Sequence, residues 1–211
     1  MLKVYFADIA SLRDEVHFEQ SMRLVLPERR EKIIRLKAKE EQLRSLAANR
    51  LLRIALEEAG IDYERQVFTY NEHGKPCLLH QSMHFNISHA GNYAVCGISD
   101  QPIGVDVEVI TKLDGKPDQV RRIADRILTE PEQNFWNDEQ GASGAELLKV
   151  WTKKESYAKM KGIGLSIGLE TIDTMEGADF CSLLLDETHY VTVCEECACD
   201  EAEFLDRSEA I

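Results

Sequence analysis

Leu43, Leu46, Ala47, Leu51, Ile54 and Ala55 recur at helical spacing and predict a helix ending at Ala59, with Gly60 placed as its left-handed stop. One side of this helix is apolar and the other charged, so it lies on a core. Ahead of it, residues 2–6 alternate weakly and read as a first strand. Pro27 sits at a favoured helix start and opens a short basic helix over 28–38. Residues 67–70 read as a short strand, 71–76 as a loop, 93–98 as a strand closed by a turn at 99–102, and 103–109 as a third strand. Helical spacing over 121–136 is interrupted by Pro131, which predicts a break near Glu130. Residues 140–144 look like a flexible link, and 145–161 form a strong helix ending at Gly162. The remainder predicts short antiparallel strands at 172–173, 180–185 and 190–194, then a frayed tail over 195–211. No short-period repeat exists, but the order strand, helices, strands occurs twice, over about 1–100 and 101–211, which permits two similar halves without proving them.

Composition narrows the class. A chain of 211 residues, 44% hydrophobic and 30% charged, with 12 Gly and 5 Pro, is neither low-complexity nor wholly disordered. No stretch approaches the roughly 20 apolar residues of a membrane helix. Lys3 and Asp8 fall inside what would have to be a signal peptide's apolar region, so a cytoplasmic protein without membrane association is expected. The formal charge of −13 argues against an all-over nucleic-acid binder. Its placement matters more than its size: residues 170–211 carry a balance of −12, whereas residues 29–53 carry +6 and can face an anion. Cys194, Cys197 and Cys199 have a metal-like spacing, but a closed zinc site needs a fourth ligand and no second C-x-x-C exists, so thiols in a final strand and tail are favoured.

Four segments carry chemistry. In Ile103-Gly-Val-Asp-Val-Glu-Val109, Ile103, Val105, Val107 and Val109 share one strand face while Asp106 and Glu108 share the other, about 7 Å apart at Cα. The commoner reading of such alternation is one wet face. In the helix, Trp151, Glu155 and Lys159 stack at i, i+4 and i+8, a pattern that on spacing alone is an ordinary Glu-to-Lys pair. In Phe85-Asn-Ile-Ser-His-Ala-Gly-Asn92, Ser88 and His89 leave a strand, where His89 can ligate, titrate or donate to an anion. Lys75, beside Pro76, can reach a phosphate or stay solvated.

The combination resembles a known family. Asn-Glu-His-Gly-Lys-Pro at 71–76, Phe-Asn-Ile-Ser-His-Ala at 85–90, Gly-Val-Asp-Val-Glu at 104–108 and Trp-Thr-Lys-Lys-Glu-Ser-Tyr-Ala-Lys-Met-Lys-Gly-Ile-Gly-Leu at 151–165 look like the signature blocks of 4′-phosphopantetheinyl transferases of the surfactin-synthetase-activating (Sfp) type. The match spans about 27–169. It implies an α/β (α+β) fold of two similar halves related by a pseudo-twofold axis, here 1–101 and 102–211, in a monomer with coenzyme A between them. The implied reaction moves the phosphopantetheine arm of coenzyme A to a serine of an acyl or peptidyl carrier protein, releasing 3′,5′-ADP.

By the same resemblance, Asp106, Glu108 and Glu155 would hold Mg²⁺, or Mn²⁺, as hard oxygen ligands. Glu155, or a metal-bound water that it orients, would be the base toward the serine, and Lys159 would stabilise the diphosphate. Arg29, Lys32, Ser45, Lys75, Pro76, Ser88 and His89 match the family's coenzyme A binders. Ala90 departs from the commoner Ser-His-Ser and removes one hydroxyl. Carrier docking is implied at about 162–193, with Ile163, Leu165 and Ile167 as apolar contacts, Lys153, Lys154, Lys159 and Lys161 facing an acidic carrier, and the acidic tail turned away. The competing readings are a coenzyme A- or carrier-binding protein without catalysis, and a metal-dependent hydrolase of the coenzyme A diphosphate.

Overall fold

The computed structural model describes residues 2–79, 83–138, 143–164, 168–175, 180–196 and 201–211. Leu165, Ile167, Cys197, Cys199 and most of the expected link at 140–144 lie outside them. The chain runs β1 (Lys3–Asp8), α1 (Glu15–Arg23), α2 (Pro27–Arg35), α3 (Lys39–Glu58), β2 (Phe68–Tyr70), β3 (Pro76–Leu78), β4 (His84–Ala90), β5 (Tyr93–Ser99), β6 (Ile103–Val109), α4 (Pro117–Ile127), α5 (Glu130–Asp138), α6 (Gly144–Lys161), β7 (Phe180–Leu184), β8 (His189–Glu195) and β9 (Glu203–Asp206). The fold is mixed α/β, built from two sheets of order β4-β5-β1-β9 and β6-β8-β7, with β2 and β3 as a small separate hairpin. Among the described residues no helix is long and apolar enough to cross a membrane.

Three apolar clusters define the layers. Leu46, Ala47, Leu51 and Ala55 of α3 pack on Tyr5, Ala7, Ala94, Cys96 and Ile98, one face of the first sheet. That sheet's other face gives Val4 and Val95 to a second cluster with Val105, Val107, Val191 and Val193 of the second sheet. On the far side, α6 joins α4 through Leu147, Leu148, Ala158, Ala124 and Ile127. Each sheet therefore carries one long helix on its outer face, and the inner faces meet in a β-branched core. This matches the expected plan of two similar halves.

The tail departs from expectation. Residues 203–206 are not frayed: β9 pairs parallel with β1, Lys3 opposite Glu203 through Phe6 opposite Asp206. Phe204 and Leu205 supply the alternation that the acids conceal, and Ile211 reaches the main core at 3% exposure. The acids are offset locally, Glu203 by Lys3, while Arg207 of the tail binds Glu58 of α3. β9 is at the opposite edge of its sheet from β4. Two further differences are local. α1 was not anticipated; Asp14 caps it by accepting from the His17 amide, and only Ser21 and Met22 of its residues are buried, too sparse for a periodic signal. Residues 172–173 form no strand, and the buried Ile172 follows a short 3₁₀ turn at Leu169–Thr171.

The break near Glu130 falls at 128–129 because Thr129 and Glu132 form a reciprocal cap. The Thr129 amide donates to Glu132 Oε2 at 2.9 Å and the Glu132 amide to Thr129 Oγ1 at 3.4 Å, so Pro131 opens a new helix. Glu132, 4% exposed, also binds the fully buried Lys154 Nζ at 2.6 Å. Lys154 further donates to the carbonyls of Ile127, Leu169 and Ile172, which ties α6 to α4 and to the segment that follows α6. It is therefore not a docking lysine at the surface. Burial alone would raise the Glu132 carboxyl, but donors from Lys154, Thr174 and Thr129 outweigh it and hold the group below its ordinary 4.5. A depressed carboxylate contributes stability that is present above the unfolded value and lost as pH falls through the folded one. Denaturant unfolding of Glu132→Gln should show a loss of about 3–5 kcal/mol at pH 7. The decline of stability below pH 4.5 should also be shallower than in the parent protein.

Candidate active site

β4 and β6 are the adjoining edges of the two sheets, joined by side chains. Asn86 Oδ1 of β4 accepts from the Val105 amide at 2.9 Å, and Ser88 Oγ donates to Asp106 Oδ1 at 2.8 Å. α6 lies against β6 so closely that a Cβ on Gly104 would sit 1.9 Å from the Ser156 carbonyl oxygen and 2.3 Å from the Met160 amide nitrogen. The Asp106 face is consequently covered rather than wet, and Asp106 is 5% exposed.

That contact brings Lys159 onto the strand. Its Nζ donates to Asp106 Oδ1 at 2.6 Å, Ser88 Oγ at 2.9 Å and the Val105 carbonyl at 3.3 Å. Asp106 Oδ2 is buried without a hydrogen-bond partner. Burial, and next the charge of Asp106, raise both the Glu155 and the Glu108 carboxyl above the ordinary range; Glu108 also feels Lys112, which binds it at 3.2 Å. Three carboxylates on two elements thus repel one another across a desolvated space. Among the described residues no group of three or more His, Cys, Asp or Glu is drawn together as a metal cluster; Asp106 Oδ1 is bound by Ser88 and Lys159, and Glu108 by Lys112.

A cavity of about 350 Å³ opens beside this point, lined by Ser45, Ala48, Ile87, Ser88, His89, Asp106, Val107, Glu108 and Lys159. Both halves contribute to it. Ser88 and His89 lie within β4 rather than beyond its end. Burial pushes the His89 imidazolium below its ordinary range, the nearby Glu41 opposes this, and Arg44 and Lys159 add to it. His89 is thereby a neutral donor or acceptor at neutral pH.

Arg29 and Lys32 do not line this cavity. Arg29 is buried over the Phe68 ring at 4.4 Å, with Nε and Nη2 unpartnered, and Lys32 lies 4.1 Å above the Tyr70 ring and contacts its hydroxyl. Both cations stack on aromatic rings of the β2–β3 hairpin. Lys75 and Pro76 border a separate cavity of about 230 Å³, and Lys75 Nζ is bound to main-chain carbonyls. Sequence reasoning missed Asn86, Tyr70, and the pair Glu41 and Arg44. Only Asn86 had a readable signal, a polar residue in mid-strand.

Fold and site together define an α/β protein in which two helix-backed sheets meet over a cavity of mixed carboxylate and basic groups. The family model for the 4′-phosphopantetheinyl transferase superfamily matches residues 102–196, and that for the N-terminal part of 4′-phosphopantetheinyl transferase matches 13–100. The chain is 33% identical over 156 residues to 4′-phosphopantetheinyl transferase Sfp of Bacillus subtilis, covering 72% of this chain and 67% of that protein. It is 30% identical over 173 residues to 4′-phosphopantetheinyl transferase gsp of Aneurinibacillus migulanus, covering 81% and 70%. A 30% match over 166 residues extends to the L-aminoadipate-semialdehyde dehydrogenase-phosphopantetheinyl transferase of Xenopus laevis, covering 72% of this chain and 54% of that protein. The chain belongs to the 4′-phosphopantetheinyl transferase family.

Because the three atoms facing a Gly104 Cβ, from Ser156, Lys159 and Met160, are all backbone, none can swing aside. Gly104→Ala should force α6 off β6. We expect a loss of about 1–3 kcal/mol in chemical denaturation, together with loss of the enzyme's activity.

Proposed function

We propose that the chain transfers the 4′-phosphopantetheine arm of coenzyme A to a serine hydroxyl of an apo acyl or peptidyl carrier protein, releasing 3′,5′-ADP with Mg²⁺ as cofactor. The observation that carries this reading is the buried, unpartnered Oδ2 of Asp106 beside the mutually repelling Glu108 and Glu155. Hard carboxylate oxygens in excess of nearby cationic partners suit a divalent ion, and Asp106, Glu108 and Glu155 would hold it. When bound, such an ion neutralises charge on diphosphate oxygens as a Lewis acid.

The chain's own residues do the rest. The serine oxygen forms a bond to the phosphorus bearing the pantetheine arm, the anhydride P–O bond breaks, and the electron pair leaves on 3′,5′-ADP. Glu155, or a water that it orients, takes the serine proton as general base. Lys159, anchored between Ser88 and Asp106, offers its charge to the diphosphate. Ser45, Ser88 and His89 face coenzyme A in the cavity, Arg29 and Lys32 hold an outlying phosphate, and Pro76 and Lys75 flank the second cavity. We place the division between halves at 101/102, with β9 crossing back to the first sheet.

The test is to incubate the protein with coenzyme A, Mg²⁺ and a panel of apo carriers, and to weigh the intact carriers. One carrier should gain the phosphopantetheine mass, and chelator should prevent it. ADP release without any carrier gaining mass would instead mark a hydrolase. Asp106→Ala and Glu155→Ala should each retain less than a tenth of the parent rate; a higher rate in folded protein rejects the acids as ligands.

Docking of the carrier is proposed at about 162–193, flanked by Lys153 and Lys161 and including Ile163. Lys153 sits over the Phe180 ring at 5.9 Å, and Lys161 is 3.5 Å from Glu196. Replacing Lys153 and Lys161 by Gln should flatten the rise of carrier KM with ionic strength. An unchanged slope rejects this surface.

A further inference from the structure

The loop between β2 and β3 is closed by its own side chain. Asn71 Oδ1 accepts from the His73 amide at 3.0 Å and the Lys75 amide at 2.9 Å, while the Asn71 amide donates to the Lys75 carbonyl at 3.0 Å. Gly74 supplies the positive φ, +84°, that the turn needs. This leaves the Asn71 Nδ2 and Lys75 Nζ groups facing away from the loop.

Both meet the C-terminal end of α6. Asn71 Nδ2 donates to the Gly162 carbonyl at 2.7 Å, and Lys75 Nζ to the Met160 carbonyl at 3.1 Å. The last carbonyls of a helix have no partner within it, and a cation there also complements the helix dipole. The helix satisfies part of its own end, with the Gly162 amide bonded to Ala158 and Lys159 carbonyls; the Met160 and Gly162 carbonyls are taken by the loop. Lys75 makes one more bond, to the Ile103 carbonyl at 2.9 Å, the first residue of β6. One ammonium thus joins the end of the helix bearing Glu155 and Lys159 to the start of the strand bearing Asp106 and Glu108. Gly162 leaves room for this: a Cβ there would lie 2.8 Å from Asn71 Nδ2 and 3.3 Å from Lys75 Cδ. Burial lowers Lys75 below the ordinary lysine value, and none of its hydrogen-bond acceptors is a carboxylate.

We propose that Asn71 and Lys75 are positioning residues that clamp α6 onto β6, so that Lys75 acts on the reaction through the helix rather than by direct contact with a substrate phosphate. The proposal rests on the transferase reading above. A phosphate-binding lysine and a clamp differ in what they change. Loss of the first weakens coenzyme A binding, whereas loss of the second displaces Lys159 from Asp106 and slows the chemical step.

The experiment compares the full chain with Lys75→Met, Lys75→Arg and Asn71→Ala. Steady-state transfer is measured with coenzyme A and carrier, and amide hydrogen exchange over 158–163 is followed without substrates. The clamp predicts a kcat at least tenfold lower for Lys75→Met, a KM for coenzyme A within twofold of the parent, and at least tenfold faster exchange at the end of α6. Lys75→Arg, which keeps a cationic donor, should recover kcat to within about threefold. If Lys75→Met does not fold, Asn71→Ala should show the same split in milder form. A tenfold rise in KM for coenzyme A with kcat and exchange unchanged would overturn the clamp and return Lys75 to direct binding. If the parent chain transfers nothing to any carrier, the transferase reading fails. The exchange comparison then still decides whether the loop holds the helix.

Discussion

The seating of α6 on β6 governs the site, and a missing side chain sets it. Gly104 lets the helix backbone approach to a distance that any Cβ would block, and the next turns of the helix follow from that contact. Lys159 then falls on Asp106 and Ser88, and the Glu155 carboxyl feels the charge of Asp106. With α6 lying further out, Lys159 would hang in solvent and the acids would regain hydration. Their mutual repulsion would fade with distance and screening.

Two lysines on the same helix show how differently burial treats one side chain. Lys154 is fully enclosed, with one carboxylate and three carbonyls around its ammonium. All its hydrogen-bonding capacity is taken by the fold, so it can do nothing but hold α6, α4 and the following segment together. Lys159, five residues on and round the helix, remains partly open and borders a cavity. Its partners Asp106 and Ser88 lie in that cavity's own wall, so its charge is reached without dismantling packing. In sequence the two are near-identical members of one basic run, and only their position about the helix axis separates the enclosed lysine from the one that borders the cavity.

Much of this was readable from the chain, and the failures have physical causes. The periodicity of α3 and α6 was strong because each lies on a sheet and must bury a continuous stripe; the left-handed Gly60 and Gly162 were legible because few other residues adopt that backbone. β6 was legible for its strict alternation, but the alternation alone pointed to a wet face. What covers Asp106 is a helix about fifty residues later, which no local pattern encodes. β9 was missed because its acids masked two apolar residues, and its pairing partner β1 lies at the other end of the chain. The burial of Lys154 and Lys75 does not show in the sequence because carbonyls supply three of the four partners of Lys154 and both of those of Lys75, and carbonyls are invisible in composition. The site residues were recognised as a set only through resemblance; spacing alone favoured an ordinary strand and an ordinary helix pair.

The meeting of β4 and β6 explains why a cavity exists between halves that are otherwise closely packed. Two strand edges side by side normally satisfy their amides and carbonyls with a continuous ladder, which would draw the sheets into one and leave no gap. Here the edges belong to different sheets, and polar side chains make the junction: Asn86 takes the Val105 amide, and Ser88 takes Asp106. A side-chain bridge is longer than a backbone hydrogen bond and occupies only its own position along the strand. Beyond it the edges can diverge, and the space they leave is lined by Ser88 and His89 on one side and Asp106 and Glu108 on the other. One of the two bridges, Ser88 to Asp106, is therefore also part of the wall of the site. A polar contact in mid-strand, which would be a defect inside a single sheet, is here what keeps the sheets both joined and apart.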